Sequence, residues 1–166
     1  MATVPARATR AATRLRPIDD RVRAFLGRAG VPALRVSVGI VFIWFGLLKV
    51  LDVSPVADLV ARTVYWFDPE VVVPALGAFE IVVGVLLIAN RLLRLALALF
   101  AAQMLGTFSV LLLLPTVAFQ DGNPFLLTVE GEFVVKNLVL IAAGMVVGSK
   151  VPKWQERARG GSPRTT

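Results

Sequence analysis

The stretch Val71-Val72-Val73-Pro74-Ala75-Leu76-Gly77-Ala78-Phe79-Glu80-Ile81-Val82-Val83-Gly84-Val85-Leu86-Leu87-Ile88-Ala89 contains one ionisable side chain, Glu80. As a helix it reaches ~28 Å, close to the ~30 Å hydrocarbon thickness of a bilayer. Beyond a turn at Asn90 and Arg91, Leu92 to Leu114 repeats the pattern at greater length, with Gln103 near its middle. Two shorter apolar runs, Leu34 to Leu51 and Phe133 to Gly148, each carry a lysine, Lys49 and Lys136. Unpaired backbone groups are costly in hydrocarbon, and no alternation of apolar and polar residues points to a barrel. The expected fold is therefore all-α: an integral membrane four-helix bundle with short interfacial helices. Its spans are expected at 34–51, 71–89, 92–114 and 133–148, between a basic arm (1–33) and a basic tail (149–166).

Composition points the same way. With 57% hydrophobic residues and a mean hydropathy of +0.75, the chain is more apolar than a soluble domain, which needs a polar shell around its core. The net charge of +7 does not imply nucleic acid, because the cations cluster at the termini and beside one turn without interleaved aromatics. The chain has no Cys and no His, which excludes thiol chemistry, imidazole-ligated haem and an ordinary zinc or copper site made by this chain alone. No metal site is expected. A redox role would need a borrowed cofactor, with a quinone as the class considered.

Connection charges set an expected topology. The segment before Val36 carries eight arginines against Asp19 and Asp20, and Asp52 to Glu70 carries Arg62 against four acids. Arg91 and Arg94 have no acid beside them, Pro115 to Glu132 has three acids and no base, and the tail is basic again. That alternation fits four spans. The positive-inside rule then places both termini in the cytoplasm. The arm has no apolar run near Met1 to form a signal-peptide core, so it reads as retained, a transit peptide being the alternative. Within it, Pro17 to Arg28 suits an amphipathic helix, with Ile18, Val22, Phe25 and Leu26 opposite arginines that would contact anionic lipid. In the first acidic link, Ser54 and Pro55 suit the start of an interfacial helix. In the second, Phe125 to Val129 is expected to dip toward the bundle.

The polar residues of the spans fall on small-residue stripes. Gly39, Phe42, Gly46 and Lys49 share one face, as do Pro74, Gly77, Glu80 and Gly84. Gln103 lies with Ala96 and Gly106; Asn137 lies with Gly144 and Gly148, with Lys136 beside it. Small residues let helices approach closely, and a charge at the bilayer centre costs about 2.5–3.5 kcal/mol on insertion scales. Helical rise puts Lys49 at ~3 Å, Lys136 at ~6 Å, Glu80 at ~13 Å and Gln103 at ~16 Å from the acidic end. A buried cluster of Glu80 with Lys49 or Lys136 is expected there, with Trp44 and Phe79 available to stack on a ring. The same cluster could serve only to set helix register. The Gly144 to Gly148 spacing reads as close packing rather than dimerisation.

Three blocks carry a resemblance: Phe42-Ile43-Trp44-Phe45-Gly46-Leu47-Leu48-Lys49, Gly77-Ala78-Phe79-Glu80-Ile81-Val82-Val83-Gly84, and Gly131-Glu132-Phe133-Val134-Val135-Lys136-Asn137-Leu138-Val139-Leu140. In order, they resemble the DoxX-like superfamily of four-helix membrane proteins, and the last two look most like its YkgB-type branch. The resemblance spans about Arg35 to Gly148. It implies that Lys49, Glu80, Lys136 and Asn137 occupy recurrent polar positions. It also implies a non-catalytic membrane subunit or scaffold in redox or oxidative-stress defence, with a soluble redox partner. A quinone or lipid held at the charged cluster is the favoured reading; a proton-coupled or solute transporter and a purely structural interaction protein are the alternatives.

Overall fold

The computed structural model describes residues 6–151, with side chains from Ile18 onward. Seven α-helices form among the described residues: α1 (Ala6–Val50), α2 (Ala57–Thr63), α3 (Pro69–Ala89), α4 (Leu93–Leu113), α5 (Pro115–Ala118), α6 (Val129–Lys136) and α7 (Leu138–Ser149). Among the described residues there is no strand, only an isolated antiparallel bridge between Phe119 and Leu127. Four helical stretches among the described residues are long and apolar enough to cross a membrane: Ile18–Val50, α3, α4, and α6 with α7 as Val129–Ser149. The protein is an all-α bundle of apolar helices. α1 contacts α3 and α7, and α4 contacts the same two, so the four spans close into a ring of antiparallel neighbours.

The α1–α3 seam is built on paired glycines. A Cβ on Gly39 would stand 2.8 Å from the Gly84 carbonyl oxygen, and one on Gly84 would stand 2.5 Å from that of Gly39. Gly46 and Gly77 repeat the reciprocity at 2.5 and 2.6 Å. Seven residues separate the glycines on each helix, two turns, so both pairs lie on one line and the backbones touch along it. At the basic end Arg35 closes the seam, its guanidinium donating to the carbonyls of Leu87 (2.5 Å) and Ile88 (3.2 Å) at the C-terminus of α3. These are among the last carbonyls of the helix, that of Leu87 also accepting from the Asn90 N–H (3.2 Å), and a cation suits the helix dipole there.

The main core lies between the spans toward this basic end, around Val38, Phe42, Val83, Leu87, Ala96, Phe100, Met104 and Ala143. Gly144 lets α7 seat against the Phe100 ring, and Gly148 faces Leu97, so this glycine pair packs within the chain. The turn between α3 and α4 is tight because Asn90 and Leu92 both take left-handed φ, 54° and 46°.

Several boundaries differ from the sequence reading. No break separates arm from span: α1 runs 45 residues, about 67 Å, more than twice the hydrocarbon thickness. Pro32 is taken into the helix, forfeiting one backbone bond. Ile18, Val22, Phe25 and Leu26 are exposed on that projecting half. α3 starts two residues before Val71, where Asp68 accepts from Glu70 N–H (3.0 Å) and Pro69 occupies the first turn. The fourth span starts at Val129 rather than Phe133, capped by Thr128, whose hydroxyl accepts from Gly131 N–H (3.1 Å). Ser54 does not cap α2, which begins at Ala57; its hydroxyl is buried without a hydrogen-bond partner. Phe125 is exposed rather than turned into the bundle. The tail beyond residue 151 lies outside the described residues.

Candidate functional site: a charged cavity at the acidic end

Where the spans part toward the acidic end, they enclose a cavity of about 230 Å³. α1 contributes Phe42, Phe45 and Lys49, α3 contributes Glu80, and α4 contributes Gln103, Met104 and Gly106. Leu59 and Thr63 of α2 close it from the connecting side, and Phe133 and Asn137 line it from the fourth span. Phe45 and Phe133 meet edge-to-face, ring centroids 5.7 Å apart.

The polar wall follows from the glycine seam. Lys49 lies three residues past Gly46 and Glu80 three past Gly77, so each sits about one turn from the same close contact. Their side chains meet with Lys49 Nζ 2.7 Å from Glu80 Oε2. Gln103 Nε2 donates to the other carboxylate oxygen, also at 2.7 Å. Both carboxylate oxygens are therefore engaged, and Lys49 and Glu80 are 5% and 6% exposed. Such geometry lets an ion pair persist in a low-dielectric interior, where its charges would otherwise be heavily penalised.

Asn137 interrupts the fourth span by a single residue. Its amide nitrogen donates to the carbonyls of Phe133 (2.8 Å) and Val134 (3.2 Å), so the side chain turns back along α6 beside the cavity. Thr63 and Thr107 likewise donate to carbonyls one turn earlier, Leu59 at 2.7 Å and Gln103 at 3.1 Å.

Four of the residues singled out from sequence, Lys49, Glu80, Gln103 and Asn137, line this one cavity. Two do not. Lys136 points away and pairs with Glu132 at 3.2 Å on an exposed surface, because its place one residue before Asn137 turns it about 100° off the inward face. Trp44 is 64% exposed on the outside of α1. Phe79 packs against the main core and does not line the cavity. The aromatic walls are Phe42, Phe45 and Phe133. The last two sit four residues before Lys49 and Asn137, and that i, i+4 spacing is the signal that could have found them.

A model of the DoxX family matches residues 30–113, which holds α1 from Gly30, α2, α3 and α4, and so Lys49, Glu80 and Gln103. No curated protein and no solved structure matches the chain.

Proposed function

Starting from the fact that this chain belongs to the DoxX family, we propose that it is a membrane subunit or scaffold that holds one small ring-bearing amphiphile, a quinone headgroup or similar lipid, in the cavity at Lys49, Glu80 and Gln103. The carrying observation is the cavity itself. An apolar chamber with a few convergent polar groups is the usual form of a small-molecule site. Its 230 Å³ lies between the ~150 Å³ that admits benzene and the ~300 Å³ where drug-sized sites begin. One substituted ring fits. An isoprenoid tail does not, and would leave past Gly106, where a Cβ would meet nothing within 4 Å. A quinone, when bound, would supply two-electron redox chemistry that no side chain of this chain offers. The protein's part is to bind and orient the ring rather than to act as an enzyme alone.

The finer assignments belong to the same proposal. The resemblance of Gly131 to Leu140, beyond the matched segment, supports the YkgB-type branch and with it a redox or stress-defence role alongside a soluble partner. The cations Arg28, Arg35, Arg91, Arg94 and Lys150 lie at one end of the bundle, and the acids of the connections lie at the other. That separation supports cytoplasmic termini in a bacterial inner membrane, with the arm near anionic lipid.

The test is extraction and mass spectrometry of what co-purifies in mild detergent. Wild type should carry a ring-bearing amphiphile approaching one per chain, and Gly106→Leu, which fills the open side, should lose it. Equal background in both proteins would remove the binding proposal.

A further inference from the structure

The cavity's unspent hydrogen-bonding capacity narrows the ligand class, an inference resting on the ligand-site reading above. A carboxylate only accepts, so Gln103 must present its nitrogen to Glu80, and its carbonyl oxygen remains available. Backbone carbonyls also only accept. Asn137 therefore faces Phe133 and Val134 with its nitrogen and keeps its own oxygen free to accept. The hydroxyl protons of Thr63, Thr107 and Ser109 go to the carbonyls of Leu59, Gln103 and Gly106, leaving lone pairs. The lining's unspent donors are fewer: two of the three N–H bonds of the Lys49 ammonium, which gives the third to Glu80, and the second Nε2–H of Gln103.

We infer that the site selects a small aromatic ring bearing hydroxyl donors, a phenol or hydroquinone, over the matching ether or quinone. A hydroxyl supplies the proton that the amide oxygens of Gln103 and Asn137 need, and its oxygen can still accept from Lys49. A ring with acceptors only can be served by Lys49 and the second N–H of Gln103, but it strips solvent from those amide oxygens without replacing its hydrogen bonds. Phe42, Phe45 and Phe133 favour the ring itself over an aliphatic alcohol.

Equilibrium binding to the full chain in lipid nanodiscs tests this with hydroquinone, 4-methoxyphenol and 1,4-dimethoxybenzene, one ring with two, one and no donors, after subtracting partition into empty nanodiscs. Affinity should fall roughly tenfold with each donor lost, and Gly106→Leu should abolish binding of the whole series. Thr107→Val, which removes one acceptor at nearly constant shape, should narrow the spread. Equal affinity for the three probes in wild type would overturn donor selection while leaving the cavity a ligand site. Absence of binding by all three would overturn both. The wild-type series separates these outcomes even where Gly106→Leu does not fold.

Discussion

Lys49 and Lys136 are both lysines in apolar helices near the acidic end, yet they end in opposite circumstances. Lys49 stands on the glycine seam between α1 and α3, where backbones in contact bring Glu80 to 2.7 Å and leave the pair almost without exposure. Lys136 stands about two turns into the fourth span on an outward face, and it settles for Glu132 one turn earlier with 74% of its side chain exposed. A charge in an apolar segment is thus not a site by sequence alone. It becomes one where close helix packing supplies a partner and excludes solvent.

The difference predicts a graded set of effects. Lys49→Met or Glu80→Leu alone should destabilise by about 3–5 kcal/mol, since each leaves one uncompensated buried charge, and the double substitution should recover most of that loss. Unfolding titrations in detergent would read the cycle; additive losses would place Lys49 and Glu80 in separate environments after all. Gly84→Val at the seam should cost about 1–3 kcal/mol or more by forcing α1 and α3 apart, because its side chain would meet the Gly39 carbonyl. A glycine away from the seam should reverse the sign. Gly106→Ala meets nothing within 4 Å and should stabilise by about 0.4–1 kcal/mol through lost freedom of the unfolded chain. The smallest effect belongs to the exposed pair: Lys136→Met should change stability by about 0.3–0.5 kcal/mol, diminishing with salt. A Lys136→Met loss as large as that of Lys49→Met would erase the contrast between the two regions.

How far these outcomes could be foreseen depends on the kind of information each needs. The stripes Gly39-Gly46-Lys49 and Gly77-Glu80-Gly84 were legible because helical periodicity assigns residues to faces without any knowledge of a partner. The same periodicity put Lys49 on its stripe and Lys136 one residue beside its own, a signal that the depth estimate, which does not report direction around a helix axis, left unused. It also missed Phe45 and Phe133, which come together from the first and last spans. Trp44 was misleading for the opposite reason: an aromatic ring next to a glycine stripe suits a lipid-facing surface as well as a pocket.

Four apolar helices, their alternating direction and the small-residue faces were settled by composition and spacing, because hydrocarbon admits no unpaired backbone and the helical repeat is constant. Which charges would pair, where the bundle would part into a cavity, and which polar atoms would be left over in it depended on the packed arrangement. Those are questions of contact between distant segments, and contact energies of a few kcal/mol, not local propensity, answer them.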